Sequence, residues 1–144
     1  MPNHPALPEP IALITGAAQR LGAEIARFLH ADGMQLALHY RHSAGAAENL
    51  ARELEAIRPD SVLLLQADLG DITAIPGLIE QTQRRFGGLD VLVNNASAFY
   101  PTPFEQANPE DWDYLMATNV RAPFFLAQAA APLLRHRQGC IVNL

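Results

Sequence analysis

The stretch "IALITGAAQRLG", Ile11 to Gly22, decides the fold. A short apolar run ends at Thr15, glycine follows, and a helical pattern begins near Leu21. That order reads as a buried strand turning into a helix. Glycine at such a turn lets backbone come close to a ligand or a neighbouring strand. Gly16 and Gly22 are the glycines of the stretch, and Arg20 lies between them. A Walker A loop fails here, because Leu21 stands where its second glycine belongs and no lysine follows. A GxGxxG fingerprint fails on spacing. What remains is a looser pyrophosphate turn facing a helix N-terminus, or a plain strand-to-helix turn that uses glycine for geometry alone.

Working outward, the same unit recurs. Apolar runs at Ile11–Thr15, Gln35–Tyr40, Val62–Gln66, Leu89–Asn94 and Cys140–Leu144 alternate with amphipathic segments. Runs this short, apolar on both faces and rich in Val, Ile or Leu, suit buried parallel strands. The first helix is expected from about Leu21 to Ala31, stopping near Gly33. A second carries Ala47, Leu50, Ala51, Leu54 and Ile57 on one stripe. A third carries Ile75, Leu78, Ile79, Thr82 and Phe86 and stops at Gly87-Gly88. A fourth opens at Asn108-Pro109-Glu110-Asp111, with a capping residue, an N-terminal proline and acids that suit the dipole. It runs to about Arg137, bent or broken on the way. Such alternation implies right-handed crossovers and a doubly wound α/β domain of Rossmann type, with its ligand at the carboxyl ends of the strands. Residues 1–10 read as a loose lead-in and 11–144 as one domain.

Composition narrows the function. The chain has 144 residues and a formal net charge of -5, which argues against a nucleic-acid surface. Cys140 is the single cysteine, so no internal disulfide forms and a reducing, cytoplasmic setting is expected. No run is apolar enough to span a bilayer, and no metal site is expected. All ten basic residues are arginine.

Past the second strand, "LHYRHS" places Arg41, His42 and Ser43 where a dinucleotide site reads the adenosine ribose. No acid is there to bind a free 2′-hydroxyl; an arginine fork and a hydroxyl suit a 2′-phosphate, which favours NADP(H). A solvated basic loop, with Ser43 capping the next helix, is the alternative. Asp68 can accept from an exocyclic amine and Leu69 can cover a ring face, although an aspartate at a strand end is more often a helix cap. In "VNNASAFYPTP", Val93 to Pro103, two buried asparagines need partners. Either their amides tie strands together, or the backbone of Asn95, Ala96 and Ser97 lines a cofactor. Phe99 is either a stacking platform or the anchor of its own loop. Pro123 has no N–H to give the Asn119 carbonyl one helical turn earlier, which frees that carbonyl for a water.

Together "TGAAQRLG", the "VNNA" segment and "MATNVRAPF", Met116 to Phe124, resemble the short-chain dehydrogenase/reductase family from about Ile11 to Leu144. More narrowly, "TGAAQRLG", "HYRHS" and "NNASAFYPTP" resemble its pteridine reductases. Most family members have glycine where Arg20 stands and NNAG where Asn94-Asn95-Ala96-Ser97 stands. The resemblance implies NADPH-dependent reduction of a pterin or dihydropterin. It puts Gly16, Arg20, Leu21, Gly22, Asp68, Leu69, Asn95, Ala96 and Ser97 at the cofactor. Arg20, Ser97 and Phe99 would meet the substrate, with Phe99 stacked on the pterin. Pteridine reductases read His-Arg-Ser where this chain has Arg41-His42-Ser43, so either Arg41 or His42 takes the 2′-phosphate; Arg41 is favoured, as in many NADP-dependent relatives. Asn119 matches an asparagine of the family's catalytic tetrad. The tetrad's Tyr-x-x-x-Lys pair is not here, because the chain has no lysine. The expectation is therefore the cofactor-binding, N-terminal part of a longer enzyme, its sheet incomplete at the C-terminal side and inactive alone. A carbonyl or 3-oxoacyl reductase and a non-catalytic nucleotide-binding fragment are the alternatives. Relatives commonly form tetramers through the long fourth helix.

Overall fold

The computed structural model describes residues 8–144; most of the expected lead-in, residues 1–7, lies outside them. Five strands alternate with helices: β1 (Ile11–Ile14), α1 (Arg20–Ala31), β2 (Gln35–Tyr40), α2 (Ala44–Ile57), β3 (Val62–Gln66), α3 (Ile75–Phe86), β4 (Val91–Asn94), α4 (Pro109–Met116), α5 (Ala122–Arg137) and β5 (Cys140–Asn143). The sheet order is β3-β2-β1-β4-β5, every pairing parallel. Strand order reverses at β1, and loops from both halves open there.

Alternation of side chains builds two cores. Ile11 and Leu13 of β1 face one side, with Leu65, Leu92, α3 and α5. Ala12 and Ile14 face the other, with Leu36, Leu38, Val93 and the helices α1 and α2. All four β1 residues are wholly buried, which is why this strand carries no polar residue.

Helix ends follow their chemistry. The Asn108 side chain accepts from the Asp111 N–H at 2.8 Å, and Pro109 opens α4. Gly87 closes α3 in the left-handed region at φ 86°. The fourth helical pattern is broken, as expected. Between α4 and α5, Ala117–Arg121 form a π-helical turn in which the Ala122 N–H donates to the Ala117 carbonyl, five residues back. One expectation differs: Ile57 ends the α2 stripe but is exposed. Strand β5 lies at the sheet edge with all four positions exposed, the open apolar edge expected of a sheet incomplete on that side.

Candidate functional site at the strand-order reversal

The turn after β1 is pinned from three directions. Thr15 Oγ1 accepts from the Asn95 and Ala96 N–H groups, both at 3.0 Å, and donates to the Val93 carbonyl at 3.3 Å. Asn95 Nδ2 donates to the carbonyls of Thr15 and Gly16, at 3.0 and 3.1 Å. Asn94 Nδ2 donates to Asn143 Oδ1 at 2.8 Å. Both asparagines therefore tie neighbouring strands, and the buried Asn94 Oδ1 has no hydrogen-bond partner among the described residues. The third direction is His39. Its Nδ1 accepts from the Gly16 N–H at 3.2 Å, its Nε2 donates to the Ala67 carbonyl at 3.0 Å, and its own carbonyl takes the Ala17 N–H at 2.8 Å. Burial holds its pKa below the ordinary value, with the Ala67 hydrogen bond and Asp68 opposing.

The glycines now have distinct jobs. Gly16 sits at φ 63°, and a Cβ there would meet the Ala96 Cα at 3.0 Å. A Cβ at Gly22 would run into the Gly16 carbonyl oxygen and, at 2.7 Å, the Asn95 amide nitrogen. Glycine at 22 thus lets α1 press against the turn. Arg20 itself is left-handed, at φ 52°, a conformation glycine adopts without cost. The N-cap of α1, Gln19, makes no side-chain capping bond. The first N–H groups of the helix therefore lack a protein cap and lie on the cavity, which suits an anion.

That cavity holds about 570 Å³ and is lined by Gly16, Arg20, Leu21, Gly22, Arg41, His42, Ser43, Asp68, Leu69, Asn95, Ala96 and Ser97, together with His39, Ala98 and Tyr114. Every residue expected at the cofactor is on its wall. Asp68 is its single acid, against Arg20 and Arg41, so the wall is basic in a chain of net charge -5. Among the described residues Arg20 has no ion pair, whereas Arg41 Nη2 donates to Asp68 Oδ2 at 2.7 Å and Arg41 Nη1 to Tyr114 Oη at 3.1 Å. Asp68 Oδ1 also accepts from the Gly70 N–H at 2.9 Å. The aspartate that caps the next short helix is Asp71, which accepts from the Thr73 N–H. Ser43 stands at the N-cap of α2, yet its side chain makes no capping bond. Leu69 is nearly buried and packs in the core as well as on the wall.

A second cavity of about 500 Å³ meets the first at Ala96 and Ser97 and continues past Asn119, Pro123 and Phe124 to Asn143 and Leu144. The Asn119 side chain clamps the loop between them: its Oδ1 accepts from the Ala98 N–H and its Nδ2 donates to the Ala98 carbonyl, both at 2.8 Å. Phe99 lies on neither wall. The residue is 90% exposed, next to the Ala98 clamp. Tyr100 anchors the loop instead: its hydroxyl donates to Asp111 Oδ1 at 2.7 Å, a bond that raises its pKa. Thr15, His39 and Tyr114 are the site residues that the sequence did not single out.

A model of the family "short chain dehydrogenase" matches residues 10–144. The chain belongs to the short-chain dehydrogenase family. Pteridine reductase 1 of Leishmania tarentolae is 37% identical over 85% of this chain and 53% of its own length. The 3-oxoacyl-acyl-carrier-protein reductase FabG of Staphylococcus aureus is 36% identical over 92% of this chain and 54% of its own. Among solved structures, a blue fluorescent protein from a metagenomic library, in complex with NADPH, superposes with a TM-score of 0.88 at 37% identity, covering 93% of this chain and 54% of that one. The chain thus spans about half the length of these relatives. Among the described residues no helix is long and apolar enough to cross a membrane, and no group of side chains could hold a metal ion.

Proposed function

We propose that the protein is an NADPH-dependent oxidoreductase that reduces a pterin or dihydropterin, these residues forming its dinucleotide site. The observation that carries this reading is the basic cavity: an uncapped helix N-terminus and Arg20 at the glycine turn, with Arg41 and the free Ser43 hydroxyl past β2. The first pair suits a pyrophosphate and the second a 2′-phosphate. The NADPH held by the solved relative agrees. The glycines fit too, since a Cβ at either would push the turn off the β4 loop and α1, which together shape the cavity.

A bound nicotinamide supplies hydride; the chain supplies position. Asn95 and Thr15 hold the turn, Leu69 covers one end of the cavity, and the Asn119 clamp sets the path of Ser97 and Phe99. Arg20 and Ser97 would bond the polar edge of a pterin. The ring of Phe99, held by nothing in the fold, is free to stack on it. The Asn119 carbonyl, beside a proline that cannot donate to it, would hold the water of a proton relay. The alternative substrate is a carbonyl or 3-oxoacyl compound, favoured by the FabG match over 92% of the chain.

In the intact protein NADPH is expected to bind at least about tenfold more tightly than NADH, about 1.4 kcal/mol, within reach of one charge-assisted contact. Fluorescence titration checks it, and equal affinities, or an unchanged preference in Arg41→Ala, would defeat the assignment. NADPH oxidation with dihydrobiopterin against a keto substrate decides between the two substrate classes.

A further inference from the structure

An exposed arginine samples many rotamers, so a phosphate gains most from one already held in place. The Arg41 side chain is 40% exposed, yet two contacts fix its guanidinium. Nη2 is taken by Asp68, 2.7 Å away on the loop after β3, and Nη1 by the Tyr114 hydroxyl, 3.1 Å away. Tyr114 reaches across from α4, 73 residues further along the chain. It is held in turn: its ring lies 6.1 Å from that of Tyr100, tilted by 32°, and the Tyr100 hydroxyl donates to Asp111. A guanidinium has five N–H donors in a fixed fork. Two are used here, and the rest remain for an anion in the cavity that Arg41 and Tyr114 share. The two anchors are not equivalent. Asp68 orients the fork but brings a negative charge beside any phosphate. Tyr114 orients it without charge.

We infer that Tyr114 is a specificity-determining positioning residue, which sets the preference for a 2′-phosphorylated dinucleotide by holding the Arg41 guanidinium at the cavity. This rests on the 2′-phosphate reading of Arg41 given above. Tyr114 is 40% exposed, so Tyr114→Phe keeps the ring pair with Tyr100 and removes the hydroxyl alone. The test is titration of the intact protein with NADPH, NADH, 2′,5′-ADP and 5′-ADP, with thermal melts alongside. In Tyr114→Phe the dissociation constants of NADPH and 2′,5′-ADP are expected to rise about three- to tenfold, the scale of one ordinary hydrogen bond. Those of NADH and 5′-ADP are expected to stay within about twofold, as such a contact has no 2′-phosphate to act on. A ratio of NADPH to NADH affinity that does not move, or an equal loss for both, overturns the inference. Arg41→Ala separates it from its premise. If that variant loses the preference while Tyr114→Phe keeps it, Tyr114 has no such role and the phosphate site stands. If Arg41→Ala also keeps it, both fall.

Discussion

Thr15 shows how much one hydroxyl can hold. It accepts from two N–H groups of the β4 loop and donates to the carbonyl before them, and the residue is 1% exposed. Valine fills the same space but leaves both N–H groups without a partner. Thr15→Val is expected to destabilise the protein by about 2–6 kcal/mol, from two part-buried donors at about 1–3 kcal/mol each. Thr15→Ser should cost far less, and urea denaturation of the two variants measures the difference. His39 sets a pH limit. Its Nδ1 must accept from Gly16, so the ring must be neutral. Burial depresses its folded pKa, and burial with the nearby Arg58 does the same to His30. The unfolded chain therefore binds more protons below the ordinary histidine pKa, about 6.5. The stability these two contribute is complete above that pH and is lost as pH falls through it towards the depressed folded values. Melting temperature should decline from about pH 7 to pH 5.5, and less steeply in His39→Gln, whose amide does not titrate. Neither residue's role was legible in the sequence. A threonine ending an apolar strand and a histidine within one look incidental until partners 23 to 81 residues away come beside them. Gly16, Gly22, Arg20 and Arg41 were legible because their signal is local: glycine at a strand end, and charge just past one.

At the scale of elements, what could be read was what repeats over a few residues. The α3 stripe, the Gly87 stop and the Asn108 cap each depend on neighbours in sequence, and each stands where the pattern puts it. The π-helical turn lies just before Pro123: the sequence predicts a break there, while its π form is seen only in the structure. Phe99 escapes for the opposite reason, because nothing in the fold decides where its ring goes. That isolation makes the loop testable. Phe99→Ala removes no packed surface, so the melting temperature is expected to stay within about 2 °C, since a shift of about 1 kcal/mol would move a domain this size by more. Substrate use should fall, with the pterin KM rising by about 2–10-fold for a stacking contact of about 0.5–1.5 kcal/mol. Steady-state kinetics of the intact protein at saturating NADPH checks both halves; an unchanged KM would leave Phe99 without a role.

Across the whole molecule, the α4–α5 region carries the most open apolar surface beside the second cavity. Trp112 is 67% exposed, Val120 52% and Phe124 63%, all from the α4–α5 region. A flank with this much exposed apolar surface is the sort that partners cover, and it lies on the long fourth helical pattern, where the family resemblance implies a contact between subunits. Trp112 is the single tryptophan of the chain. In an oligomer of the intact protein the Trp112 component of the emission, isolated by comparison with Trp112→Phe, is expected to lie blue of that in dilute, dissociated samples; a component independent of concentration, with dissociation seen by light scattering, would free this flank of that role. The sheet order has a separate consequence in time. Strand β1 is made first but sits in the middle, flanked by β2 and β4. Its β4 partner arrives late: Thr15 waits for Val93, 78 residues downstream. A ribosome adds about 5–20 residues per second, so one edge of β1 stays open for about 4–16 s of each round of synthesis. Through that interval the nascent chain presents its most apolar strand to whatever else is emerging nearby, and the speed of translation from α1 through α3 sets how long the exposure lasts.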